Sequence, residues 1–160
     1  MFVKRDMEFP ELPRFGLRLF LKKELDQVTY YGMGPEENYR DKCRAASHGI
    51  YSRQVDAMHE DYIRPQENGS RSDCDYVILK GENAAFTAVS SRTFSFSASR
   101  YTQEELTEKR HNFELIPCGS TVLCLDYVQN GIGSNSCGPE LLPKYRFDEE
   151  EFWFSMKLMF

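Results

Sequence analysis

Short polar side chains set among glycines can shape a ligand-contacting loop. The stretch Gly131-Ile132-Gly133-Ser134-Asn135-Ser136-Cys137-Gly138-Pro139 concentrates them: glycines and a proline surround two serines, an asparagine and a thiol. Glycine allows positive φ and close backbone approach, and Ser, Asn and Cys offer compact donors and acceptors, a composition suited to the rim of a pocket. An ordinary turn between two strands uses the same residues.

Other chemistry-bearing residues are more dispersed. Glu36-Glu37 is a pair of carboxylates of the kind used in general acid and base catalysis, but adjacent residues rarely face one site, so the pair reads as solvated charge in a turn or short helix. Asp73 with Asp75 and the run Glu149-Glu150-Glu151 read the same way. His48 and His59 have no Cys or His at metal-ligand spacing, and they are assigned no role. Cys43, Cys74, Cys118, Cys124 and Cys137 form an odd set without close pairs, which fits free thiols in a reducing compartment. Asn68-Gly69-Ser70 matches a glycosylation sequon, and with no secretory signal in view the match reads as accidental.

The elements that must position these residues follow from periodicity. Phe15, Leu17, Leu19 and Leu21 alternate as one face of a strand, and Val28–Tyr31 follows a turn at Asp26-Gln27, so the two are expected to pair as a hairpin. Gly32-Met33-Gly34-Pro35 stops the second strand. An Asn-Gly turn at 68–69 precedes a buried strand over 76–79, and further strands are expected over 85–89 and 93–98. Thr102 with Glu105 three residues on is a capping-box signature, placing one short helix near 103–110. A long strand over 121–127 leads into the glycine-rich loop. The run 152–160 alternates as a last strand on which the chain ends, while residues 1–13 read as a segment arriving from elsewhere.

Composition narrows the classes. The chain has 160 residues, enough for one domain with a real core, and its 12 Phe and 9 Tyr favour β structure. A net charge of −5 without a basic cluster argues against nucleic acid as a partner. No apolar run approaches the roughly 20 residues that cross a bilayer, so no membrane association is expected and a cytoplasmic location is. Repeated short strands with one helix imply an all-β antiparallel sandwich. No P-loop, dinucleotide fingerprint or Ser-His-Asp spacing is present.

Several motifs occur in one order: Leu12-Pro13-Arg14-Phe15-Gly16, Tyr31-Gly32-Met33-Gly34-Pro35-Glu36-Glu37-Asn38-Tyr39, Arg64-Pro65-Gln66-Glu67-Asn68-Gly69, Ser99-Arg100-Tyr101-Thr102 and the 131–139 loop. In this the chain closely resembles the C-terminal part of glycoside hydrolase family 2 β-galactosidases, over nearly its whole length. The resemblance implies a supersandwich of galactose mutarotase-like type, with residues 1–160 as a single β-sandwich domain corresponding to about the second half of the family's C-terminal domain. It implies retaining hydrolysis of β-galactosides by two glutamates on an upstream TIM-barrel part, which would be this chain's partner in a homo-oligomeric enzyme. No catalytic or metal residue carries over, and no cofactor is expected in this chain; the family's Mg and Na belong to its catalytic domain. One position does carry over. The loop equivalent to 131–139 projects a Trp towards the sugar at the active-site mouth in well-known members, and Cys137 stands there, with Ser134, Asn135 and Ser136 available for hydrogen bonds. Two other readings stand beside this one. A free-standing carbohydrate-binding module would need an exposed aromatic platform, and a mutarotase-like epimerase would need one of His48, His59 or His111 beside a carboxylate in a pocket.

Overall fold

The computed structural model describes residues 11–133 and 140–160. Ser134, Asn135, Ser136 and Cys137 therefore lie outside the described residues.

Seven antiparallel strands form one sheet: β1 (Arg14–Lys22), β2 (Gln27–Gly34), β3 (Ser47–Gln54), β4 (Arg71–Lys80), β5 (Ala85–Ser99), β6 (Ser120–Gln129) and β7 (Met156–Met159). Their order is β1-β6-β5-β4-β2-β3, with β7 pairing β5. The all-β antiparallel class expected from the alternating apolar pattern is what forms, and the described strands belong to a single hydrogen-bonded sheet. The 15-residue β5 serves two neighbours on one side: Ser95–Ser99 pairs with β6, and Thr87–Ser90 pairs with β7. The expected strands over 85–89 and 93–98 are thus one continuous strand.

The expected hairpin between the first two strands does not form. Leu25 N–H donates to the Lys22 carbonyl at 3.0 Å, and this turn carries the chain from the β1 edge to β2, which pairs with β3 and β4. β1 instead pairs with β6, Leu19 opposite Leu123 and Leu17 opposite Leu125. As an edge strand β1 has covered only part of its apolar face: Leu21 is buried, while Leu17 stays 44% exposed. β4 begins five residues before the expected 76–79 segment, because Arg71–Asp75 joins the ladder through irregular pairing with β5.

The main core gathers alternate residues of the central strands, among them Val28, Tyr30, Val77, Leu79, Phe86, Phe94, Phe96, Leu123 and Leu125. Full burial of side chains of this size contributes about 1.5–3 kcal/mol each. A second cluster holds Tyr127, Phe147 and Phe152, with Phe152 stacked on Tyr127 at 4.7 Å between ring centroids. That stacking explains why the last strand is shorter than expected: Phe152 anchors this cluster, and only Met156–Met159 pairs in the sheet. The helix α1 (Gln103–Glu108) starts at the expected cap, where Thr102 Oγ1 accepts from Glu105 N–H at 3.1 Å. Glu105 does not close the box; its carboxylate accepts from Ile116 N–H instead.

Candidate functional site

The base of the glycine-rich loop is built from the end of β6 outward. Asn130 N–H donates to the Pro13 carbonyl at 2.9 Å, and Gly131 N–H donates to the Tyr145 carbonyl at 3.1 Å. The next two amides converge on one side chain. Ile132 N–H donates to Asp41 Oδ1 at 3.1 Å and Gly133 N–H to Asp41 Oδ2 at 2.8 Å. Gly131 lies against the same carboxylate, since a Cβ there would stand 2.5 Å from Leu141 Cδ1 and 2.9 Å from Asp41 Cγ. Gly133 has φ +60°, where glycine is favoured. The glycines at 131 and 133 thus serve close approach and positive φ, as their composition implied.

On the return side, Arg146 ties the chain down. Its Nε donates to the Leu141 carbonyl at 3.1 Å, and its guanidinium pairs with Glu11 at 3.1 Å and Glu140 at 3.6 Å. Asn130 adds a side-chain link, its Oδ1 accepting from Phe147 N–H at 2.8 Å. A cleft opens here, lined by Asp41, Lys42, Ile132, Gly133, Glu140, Leu141, Leu142 and Tyr145. A second cleft, lined by residues of the 36–46 segment, shares Asp41 and Lys42 with it.

Asp41 is held in place by the turn it belongs to. Tyr39 and Lys42 exchange both backbone hydrogen bonds, Tyr39 N–H to the Lys42 carbonyl at 3.0 Å and the reverse at 2.9 Å, leaving Arg40 and Asp41 at the tip. Both flanking side chains then reach one carboxylate. Glu37 Oε2 accepts from Tyr39 OH at 3.1 Å and Gly69 N–H at 2.7 Å, and Oε1 accepts from Lys42 Nζ at 3.0 Å and from Tyr62 OH. The Glu37 side chain is only 3% exposed. Burial alone would push its carboxyl up, but the bonds from Tyr62, Gly69 and Lys42 outweigh burial and hold it below the ordinary value. Asn38 fixes the same segment, donating to the Met33 and Glu36 carbonyls and accepting from both Ser72 N–H and Ser72 Oγ.

This corrects the reading of Glu36-Glu37 as solvated charge. Glu36 is exposed and pairs with Arg53, whereas Glu37 is the buried centre of the network. Sequence reasoning missed Asp41 and Tyr62; the one available signal for Asp41 was its place just past the Tyr31–Tyr39 motif.

His48 Nε2 donates to the Asp73 carbonyl at 3.0 Å and stands 3.7 Å from Asp75. His59 lies 3.8 Å from Asp61 and His111 3.4 Å from Glu114, and none of these histidines lines either cleft beside Asp41. Asn68 of the apparent sequon is buried, its amide bonded to both backbone groups of Glu60. Glu149 accepts from Tyr127 OH at 2.8 Å. Cys43, Cys74, Cys118 and Cys124 are free thiols. Among the described residues no three His, Cys, Asp or Glu side chains gather as metal ligands, and no helix is long and apolar enough to cross a membrane.

Comparison with known proteins places this architecture. Residues 1–158 match the family described as Beta galactosidase small chain. The chain is 51% identical over 156 residues to a beta-galactosidase of Actinobacillus pleuropneumoniae, covering 98% of this chain and 15% of that protein. It is 43% identical over 158 residues to a beta-galactosidase of Staphylococcus xylosus, covering 99% of this chain and 16% of that protein, and 31% identical to one of Kluyveromyces lactis, covering 94% and 15%. The chain thus spans about 15% of the length of these relatives. It belongs to the Beta galactosidase small chain family.

Proposed function

We propose that this chain is the C-terminal, non-catalytic domain of a retaining β-galactosidase that hydrolyses terminal β-D-galactosides such as lactose, and that its 131–139 loop contributes to the active-site mouth. The observation that supports this reading is coverage: nearly all of the chain aligns with a small fraction of much longer beta-galactosidases. In this reading residues 1–160 form about half of the enzyme's C-terminal supersandwich, the two catalytic glutamates and the Mg and Na sites lie upstream, and the enzyme is a cytoplasmic homo-oligomer.

By the resemblance, Cys137 stands where the family's Trp meets the sugar in the acceptor or leaving-group position, with Ser134, Asn135 and Ser136 beside it in sequence. A thiol in place of an aromatic ring leaves more room and exchanges stacking for hydrogen bonding by its neighbours. The isolated chain does not hydrolyse galactosides, because loop contacts do not replace a nucleophile and an acid. A chromogenic galactoside tests this. The pure chain gives no turnover, and turnover that persists after repurification would place the active site within these residues and overturn the reading.

A further inference from the structure

We propose that Asp41 is a positioning residue for the reaction: by clamping the amides of Ile132 and Gly133 it sets where the 131–139 loop leaves the sheet, and so how that loop meets the acceptor sugar. The inference rests on the proposed role of the loop at the active-site mouth. Its geometry rests on described residues alone.

Every backbone amide from 130 to 133 is engaged, and Asp41 takes the last two before the loop departs. A single carboxylate spanning two consecutive amides fixes both position and direction, since each oxygen has its own donor. The contact at Gly131 removes the remaining slack: a side chain there would collide with Asp41 and Leu141. Asp41 itself has little freedom, because the turn that carries it is closed by paired Tyr39 and Lys42 backbone bonds, and both side chains end on Glu37. A rigid path therefore runs from the buried Glu37 through the 39–42 turn to the base of the loop. Such a path suits a loop that must present short side chains to a ligand, because small donors and acceptors tolerate little misplacement. Were the clamp only a tie between two surface segments, its loss would loosen the fold without changing how acceptors compete.

The test uses the complete β-galactosidase carrying this chain as its C-terminal part, with Asp41→Ala, Asp41→Asn and Cys137→Trp. Three readouts are taken: hydrogen exchange of residues 130–133, the ratio of galactosyl transfer to added glucose over hydrolysis, and the melting temperature. Asp41→Ala is expected to raise exchange at 132 and 133 and to change the transfer ratio about tenfold, short of the roughly hundredfold that a misplacement of about 1 Å can cost. Asp41→Asn, which keeps one acceptor oxygen, falls between Asp41→Ala and the parent and serves if the alanine variant does not assemble. If Cys137→Trp shifts the ratio while neither Asp41 variant does, Asp41 does not position the loop and the inference fails with the loop's role intact. If none of the three shifts it, the loop's role fails and the inference with it. A lowered melting temperature with an unchanged ratio, or unchanged exchange at 132 and 133, also overturns it.

Discussion

Two buried carboxylates, Glu37 in the segment after β2 and Asp126 in β6, keep their charge by different means. Glu37 is surrounded by four donors, of which only Lys42 is charged, drawn from residues 39, 42, 62 and 69. Asp126, in β6, relies on one residue: Arg14 Nε donates to Oδ1 at 3.1 Å, and Nη2 reaches Oδ2. Arg14 is shared, pairing also with Glu67 at 3.1 Å. The outcomes differ in sign. Glu37 is held below the ordinary value, whereas burial pushes the Asp126 carboxyl up to about 6 against the pull of Arg14, with the Glu67 charge adding to the rise. Burial is severe in both places, so the number and spread of donors decide the charge state.

Isosteric neutralisation is the sharpest way to break that comparison. Glu37→Gln turns an amide donor towards phenols, an ammonium and a backbone N–H that all need acceptors, and it should cost about 3 kcal/mol, the scale of breaking a buried charged contact. The loss should also loosen the 39–42 turn. Urea denaturation at neutral pH measures it, and a cost below about 1 kcal/mol would mean that the network is not a stabilising centre. The parent's pH dependence follows from the same shift: with the folded value depressed, Glu37 contributes its full stability above the unfolded value of about 4.3, and the contribution is lost as pH falls through the folded value. The Gln variant lacks that acid-side decline.

Asp126→Asn should cost less, about 1 kcal/mol at neutral pH, because a neutral amide escapes the burial penalty that the charged carboxylate carries there, which offsets part of the lost bonding to Arg14, and Glu67 still faces Arg14. Its pH signature is opposite. With a folded value of about 6 and an unfolded one of about 3.9, the folded chain holds the extra proton between them, so this group's contribution declines as pH rises from about 4 to 6. Stability curves of parent and Asp126→Asn should therefore converge towards neutral pH and separate towards pH 4. Curves that instead separate as pH rises would show that Arg14 holds Asp126 charged throughout.

How much of this was legible in the sequence depends on the range of the interactions. The Thr102 cap was visible because its partner Glu105 lies three residues away, and the β6 strand because its alternation is local. The β1–β2 hairpin was misjudged because β1 finds its partner over a hundred residues later, in β6, and proximity in sequence carries no information about that choice. Glu37 was misread for the same reason: its surroundings come partly from Tyr62 and Gly69, which no pattern near residue 37 announces. Gly131 and Gly133 serve the close approach and positive φ that their composition implied. Their anchor, Asp41, comes from a turn some 90 residues earlier and was invisible.

The Thr102 cap supplies the small end of the scale on which the two carboxylates are compared. Its Oγ1 accepts one neutral N–H, from Glu105 at 3.1 Å, at a partly exposed site where water can replace it. Helix α1 has only six residues, Leu106 is its one buried side chain, and the last backbone bond, Lys109 N–H to the Glu105 carbonyl, closes it at 3.3 Å. So little structure depends on the cap that Thr102→Ala should cost about 0.5 kcal/mol, the low end for a helix cap. Arg18 pairs with Glu104 in the same first turn and holds its carboxyl below the ordinary range, which keeps that turn in place when the hydroxyl is gone. The check is a urea melt of Thr102→Ala run beside Glu37→Gln and Asp126→Asn. A cost matching that of Glu37→Gln would mean that hydrogen bonds here contribute alike whether buried or exposed, and the contrast between a crowded buried carboxylate and a sparsely partnered one would lose its physical basis.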